Sequence, residues 1–428
     1  MFKKTLLVLA LVVTATAARA DAITEWNAFT AQVIASSTHT GPAVLIDFAA
    51  VHAAMHDAVQ GIEHRYRPYR TEIDGSGSPV AAAAKAARDV LVQRFPSQTA
   101  VIDTRYHAFL VSNGLAADDR GVAAGAAAAA GIIDARTGDG AFPSTPPAPF
   151  IGSEAVGAWR PTPAYLGGAA FVPMATPWLA NVTPFAVDSP SQFRPKPAPA
   201  LDSKEYAEDF NEVKAVGGST STARTQEQTN IALFWADNTP ILWNRTLRAI
   251  SATYVTDLGD NARLFALGTM SAADALITCW DAKIHYNYWR PVTAIHEADH
   301  DGNAATEADP TWRPLINTPN YPDYTSGANS LTGAMTRTLQ LLFGRDDLPV
   351  TITSTTASLP VDKRTRSFER ISDVASEVVD ARIYLGIHFR FADTTARKQG
   401  ERIAQWAFAH HLKPIDDDER GIERGKLQ

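Results

Sequence analysis

Three separated segments near the C-terminus carry residues whose types and spacing could do chemistry: Lys283 and Arg290 in KIHYNYWRP, Ser326-Gly327 in YTSGANS, and Arg382 with His388 in ARIYLGIHFR. Two guanidinium groups, an ammonium, a hydroxyl on a glycine turn and an imidazole are what a protein needs to wrap a tetrahedral or trigonal-bipyramidal oxyanion such as phosphate or vanadate. Lys283 and Arg290 are seven residues apart, about two helical turns, so a helix running through both would point them to the same side. Trp289 and Pro291 would stop that helix and form a rigid wall. Taken alone, the segment also allows an ordinary reading, with Lys283 solvated and Arg290 paired to Asp281 or Glu297.

Ser326 precedes a helix. It can cap that helix or donate to an oxyanion, while Gly327 lets backbone approach closely and offers its amide beside the positive helix end. Arg382 and His388 are six apart, about 240° out of phase on an unbroken helix, so both can face one ligand only if the helix loosens near Gly386. Arg390 and Asp393 follow, and either could tether the second imidazole nitrogen.

These segments need elements to position them, and the pattern is helical at both ends of the chain. Helices are expected over Thr24 to Ser36, Pro42 to Ile62, Ser78 to Phe95 and Gln98 to Ile133, all alanine-rich. Further helices are expected over Ser203 to Val216, Arg224 to Asp237, Ile241 to Tyr254, Asn261 to Tyr288, Ser330 to Phe343, Lys363 to Leu385 and Asp393 to His410. Alternation of period two is nowhere sustained. Half of the 26 prolines fall between Pro143 and Pro199, which makes that stretch an extended crossover. Its aromatics Phe150, Trp159, Tyr165, Phe171, Trp178, Phe185 and Phe193 suggest packing over the body. The expected divisions are an N-terminal bundle over 21–142, the crossover over 143–200, a C-terminal bundle carrying the oxyanion site over 201–415, and a charged tail over 416–428.

Residues 1–20 read as a secretory signal peptide. Lys3 and Lys4 precede an apolar run far shorter than the ~20 residues a bilayer needs, and Ala18-Arg19-Ala20 is a small-x-small cleavage pattern. A periplasmic or secreted destination is expected. The single cysteine, Cys279, leaves no intrachain disulfide. Without the leader, the formal charge moves from −7 to −10, since Lys3, Lys4 and Arg19 are lost and no acid is. An acidic surface argues against nucleic acid or an anionic membrane as partner, and no helix of the mature sequence offers a continuous apolar span.

In the N-terminal half, His52, His56 and Asp57 stand in VHAAMHDAVQGI. Two histidines one turn apart could ligate a metal, but the glutamate of a zinc HExxH is missing. An inward polar pair, hydrogen-bonded within an alanine-rich bundle, is the favoured expectation.

The order Lys-x6-Arg-Pro, then Ser-Gly, then Arg-x5-His resembles the vanadium-dependent haloperoxidase and type 2 phosphatidic acid phosphatase superfamily, and more closely its secreted bacterial haloperoxidase-like branch. The resemblance extends to Gly157-Ala158-Trp159-Arg160-Pro161, Thr183-Pro184-Phe185, Gln192-Phe193-Arg194-Pro195, Arg224-Thr225-x-Glu227-Gln228 and Phe234-Trp235. It implies an all-α fold with the oxyanion site in a four-helix bundle. Lys283, Arg290, Ser326, the Gly327 amide and Arg382 match the family's oxyanion clamp. His388 matches the histidine that either bonds vanadium at the apical position or attacks phosphorus. The implied cofactor is vanadate, with phosphate able to occupy the same site. The implied partners are hydrogen peroxide and a halide, or a phosphate ester, and a homodimer is compatible with the sequence.

Three positions depart from the family pattern. Ala328 stands where the family's Ser-Gly-His has histidine, Ala381 where a serine usually precedes the third arginine, and Ala392 where an acid usually follows, with Asp393 one place late. The Ala328 position matters most, because loss of a general acid or base costs roughly 10²- to 10⁴-fold in rate unless another group substitutes. Asn329, His285 and His296 are the candidate substitutes. The expected activity is vanadate-supported halide oxidation. A phosphomonoesterase working through phosphohistidine and a non-catalytic oxyanion-binding protein are the alternatives.

Overall fold

The computed structural model describes residues 21–415; the leader and the charged tail read from the sequence lie outside the described residues. The first five helices are α1 (Ala22–Ala35), α2 (Val44–Glu63), α3 (Pro79–Arg94), α4 (Thr99–Ser112) and α5 (Arg120–Ala135). The second half supplies α6 (Lys204–Val216), α7 (Gln226–Phe234), α8 (Thr239–Tyr254), α9 (Leu258–Tyr286), α10 (Pro291–His296), α11 (Gly327–Phe343), α12 (Ile371–Tyr384) and α13 (Arg390–His410). The all-helical expectation holds, with one small antiparallel hairpin added.

Two helices sit at the centre because they are buried on all sides. α2 is closed from solvent from Val44 to Gly61, and α9 along nearly its whole length to Lys283. A helix buried all round must be wrapped by others. α3 and α5 wrap α2, α11 and α13 wrap α9, and α2 and α9 pack on each other. Alanine makes the first packing close: Ala81, Ala82, Ala83, Ala84, Ala86 and Ala87 of α3 are all inaccessible. One apolar core runs from Ile23 of α1 through α2 and α9 to Ala407 of α13.

Three helix expectations are corrected. The stretch from Gln98 to Ile133 is two helices, parted where Gly114 adopts a left-handed φ of 65°. Asn287 is also left-handed, at φ 45°, and ends α9 before Trp289. The stretch from Lys363 is not helical at its start. Thr365–Phe368 (β2) pairs antiparallel with Val350–Thr353 (β1), Val350 lying opposite Phe368. Each strand is four residues long, too short to register as sustained alternation, and β1 alternates buried and exposed as a half-buried strand does.

The crossover packs on the body through Trp159 and Phe185, which are 0% and 5% exposed, whereas Phe171 stands out at 64%. Its backbone has a specific task. Ala158 bridges Tyr288, with Trp159 N–H donating to Asn287 O and Trp289 N–H to Gly157 O. The turn that delivers Arg290 is therefore clamped from outside.

Candidate functional site

The three chemistry-bearing segments meet because their backbones are stitched together. Asp323 N–H donates to Tyr288 O, and Ser326 N–H to Ala392 O. Arg290 then spans from the first segment to the third, its Nη1 donating to Ile387 O at 2.6 Å while Nε donates to Tyr321 O at 2.8 Å. Each link saturates a buried polar group that would otherwise cost free energy.

Lys283 is fully buried on α9. Its ammonium donates to the carbonyls of Pro322 and Asp323 and lies 4.8 Å from the Tyr321 ring centre. Arg290 approaches the same ring at 4.9 Å. The two cations converge through the left-handed turn at Asn287 and not through helical phase, because Arg290 is already the N-cap of α10. Asp281 and Glu297, the acids that could have taken Arg290, are held by Arg194 and Arg160.

The third segment breaks at Gly386. α12 ends at Tyr384, Gly386 has φ 76°, and a Cβ there would lie 2.4 Å from Gly217 O, so only glycine fits the turn. The break swings His388 onto Arg290: Nη1 is 3.1 Å from its Nε2 and 3.3 Å from its Nδ1. Arg382 stays on α12, donating from Nη1 to Trp235 O at 2.6 Å. It is close enough to Arg290, Asp393 and Tyr321 for their charges to act on it.

Ser326 occupies the N-cap position of α11 but makes no capping bond. Its hydroxyl lies against Asp393 and is approached by Asn329 Nδ2 at 3.4 Å. The positive end of α11 is thus left open beside the cations.

Neither Arg390 nor Asp393 tethers the imidazole, which corrects that expectation. Arg390 turns outward to Glu212 and Asp380, and Asp393 accepts from Asn329 Nδ2 at 2.8 Å. The carboxylate at His388 is Asp323, whose Oδ1 is 2.7 Å from Nδ1 and 3.6 Å from Arg290 Nη1. Asp323 is given no role in the sequence analysis. The available signal was an acid three residues before the serine in a segment already rich in site residues. Tyr321, the wall shared by both cations, was also missed.

Of the candidate substitutes for the histidine absent at Ala328, Asn329 lies in the cluster. His285 is exposed and stacks edge-on with Tyr286. His296 Nε2 is engaged with Trp312 O at 2.7 Å.

Burial dominates the electrostatics. It pushes Lys283 down to about 7, with Arg290 adding to the push. It pushes Asp323 up to about 7 against the pull of Arg290 and Lys283, and holds Asp393 well above the carboxylate range. His388 is held well below the usual imidazole value by burial and then by Arg290, Lys283 and Arg382. Asp323 Oδ1 lies 2.7 Å from Nδ1 but makes no hydrogen bond there, and Nε2 faces Arg290 Nη1 at 3.1 Å.

Two buried donor atoms in the cluster, Arg290 Nη2 and Arg382 Nε, make no hydrogen bond. Unpaired guanidinium donors in a dry site are costly, and an oxyanion is the ligand that would satisfy them. Among the described residues, no group of three His, Cys, Asp or Glu side chains is arranged to hold a metal ion. The residues present fit an anion held by cations, with the His388 imidazole among them. His52 and His56 are inward and separately bonded, to Asn27 Nδ2 at 2.8 Å and Arg67 O at 3.2 Å.

A family model described as the VCPO second helical-bundle domain matches residues 263–417, which hold every residue of the cluster except Trp235. The vanadium chloroperoxidase of Curvularia inaequalis is 27% identical over 259 residues, covering 46% of this chain and 42% of that protein. The alignment thus spans less than half of that curated relative. The crystal structure of the first bacterial vanadium-dependent iodoperoxidase superposes with a TM-score of 0.76 at 22% identity, covering 92% of this chain and 97% of the other. A holo-type bacterial vanadium-dependent chloroperoxidase gives 0.68 at 19% identity, covering 90% and 93%. The chain is therefore a homologue of the vanadium-dependent haloperoxidase family, in sequence over its C-terminal bundle and in fold over nearly its whole length.

Proposed function

We propose that this protein binds vanadate in the Lys283, Arg290, Arg382 and His388 cluster and oxidises a halide with hydrogen peroxide. The observation that carries the reading is the pair of unsatisfied donors, Arg290 Nη2 and Arg382 Nε, beside the buried imidazole of His388. In this reading Lys283, Arg290 and Arg382 neutralise the oxyanion, and Ser326 and the Gly327 amide donate to it. His388, with Asp323 beside its ring, would supply the nitrogen that holds the bound oxyanion. Bound vanadate would supply electrophilic activation of peroxide toward halide. Tyr321, Ala328 and Arg382 are the partly accessible members of the cluster, so substrate would approach on their side. A leader over residues 1–20 would deliver the protein to a periplasm or the exterior. No helix among the described residues is long and apolar enough to cross a membrane.

One observation favours a second reading. Ala328 presents a methyl group where proton transfer would be needed, so the site could hold phosphate or vanadate without turnover. The deciding experiment is peroxide-dependent halide oxidation by the metal-free protein before and after vanadate is added, with phosphate-ester hydrolysis measured on the same sample. Vanadate-dependent halide oxidation supports the first reading. Ester hydrolysis inhibited by vanadate replaces it with a phosphohistidine phosphatase. Tight vanadate binding with neither activity replaces it with an oxyanion-binding protein.

A further inference from the structure

A cleft outside the oxyanion cluster lies between the N-terminal helices and α8. It measures about 670 Å³ and is bounded by α1, by Arg105 of α4, and by α8 with the Val255-Thr256 turn that follows it. Its apolar lining comes from Ala28, Phe29, Ala252 and Val255, and Arg248 of α8 supplies a charge.

Arg248 is half-buried and is held from behind. Its Nη1 donates to Oδ1 of Asn27, a side chain that is itself 0% exposed. Asn27 is fixed in turn because its Nδ2 reaches His52 Nε2 at 2.8 Å and Asn244 Oδ1 at 2.7 Å. No carboxylate among the described residues pairs with Arg248. The two acids at the cleft are already committed: Glu25 bridges Arg105 at 2.9 Å, and Asp21 accepts from Asn261 at 2.6 Å and from the Thr24 amide at 3.0 Å. Burial lowers the Arg248 pKa, with Arg245 adding to it, which is the sign of a cation lacking a counter-charge.

We infer that this cleft is a second ligand site, which takes a small organic carboxylate with an apolar body. The carboxylate would bond to the free edge of the Arg248 guanidinium, which matches it in shape, and the hydrocarbon would lie on Phe29, Ala252 and Val255. A cavity of this volume is in the range that holds small organic ligands. The inference is independent of the vanadate reading, because none of these residues belongs to the oxyanion cluster.

Isothermal titration of the purified protein with benzoate tests it, run with saturating phosphate to occupy the oxyanion cluster. Benzoate is expected to bind with a Kd below about 1 mM, a modest affinity for a ligand of nine heavy atoms. The Arg248→Gln variant should weaken binding at least tenfold. The Ala252→Trp variant, at an exposed position where folding is unaffected, should fill the cleft and abolish binding. Neutral benzamide should bind at least tenfold more weakly than benzoate. Absence of benzoate binding in the unmodified protein overturns the site. Equal affinity for benzamide overturns the carboxylate class, and unchanged affinity in either variant overturns the location.

Discussion

The two central helices each bury polar groups, and what those groups do differs. α2 carries Asp57, whose carboxylate accepts the amides of Tyr69, Arg70 and Thr71. α9 carries Asp274, which accepts those of Phe185, Ala186 and Val187 in the same way. Both aspartates pin an incoming loop to a helix, which is a structural use of charge. Beyond that point the halves diverge. In the N-terminal half, His52 and His56 each find a single neutral partner, and Asn27 ties three elements together. In the C-terminal half, three cations, Lys283, Arg290 and Arg382, gather around the one imidazole of His388. Folding alone would not select the second arrangement, because like charges brought together in a dry interior repel. The lesson is that burial of polar groups, and of unpaired guanidinium nitrogens such as Arg94 Nη2 and Arg136 Nε, is common to both bundles, whereas the gathering of three cations around one imidazole is particular to the second.

The sharpest break of that comparison is a pair of substitutions. Arg382→Ala should weaken vanadate or phosphate binding by roughly 100-fold, the loss of one charge-assisted contact, with little change in unfolding free energy. Asn27→Ala should do the reverse. It should lower stability by about 1–3 kcal/mol, because the buried His52 and Asn244 and the half-buried Arg248 lose their bond, and leave oxyanion affinity unchanged. Calorimetric binding and urea unfolding on both variants decide it, and parallel effects in the two would erase the distinction between the halves.

Ala328→His comes next. Adding the missing imidazole should raise halide oxidation or ester hydrolysis at least tenfold, the low end of a general acid or base contribution. High activity in the unmodified protein that falls on substitution would instead mean that another group already moves the proton.

Asp323→Ala should change oxyanion affinity by roughly tenfold by removing the carboxylate 2.7 Å from the His388 ring, the scale of losing a neighbour behind a ligating histidine. Nitrogen NMR of His388 should show a changed distribution of its proton between the two nitrogens after the substitution.

A smaller effect concerns pH. The Lys283 value falls to about 7 in the fold, so its positive charge is present below that pH and is lost above it. Sulfate, whose charge is constant, should bind several-fold more weakly at pH 8 than at pH 6. Flat affinity across that window would remove Lys283 from the clamp.

The smallest effect belongs to the structural half. His56 is lowered to about 4 by burial, below its unfolded value of 6.5. The fold therefore resists protonation, and His56 contributes stability above pH 6.5 that is lost as pH falls toward 4. Between pH 7 and 5 the His56→Gln variant should lose about 1–2 kcal/mol less than the unmodified protein, read from urea midpoints at the two pH values.

Helical identity was legible in the sequence because it is local. Alanine-rich runs, Ser78 and Ser203 as side-chain caps, and the capping box from Thr225 to Gln228 act within a turn or two of chain. The residue types of the clamp were legible as well, since their order and spacing stand in the chain itself. The break at Gly386 was readable because Arg382 and His388 could share a face only if the helix ended between them. What tertiary structure alone decided was partnership. The pairing of Asp323 with His388, the diversion of Asp281 to Arg194 and of Glu297 to Arg160, and the turning of Arg390 to the surface all depend on which segments come to lie side by side. Ion pairing acts over a few ångströms in space, between residues 178 positions apart in the case of Arg390 and Glu212, and no local pattern encodes that choice.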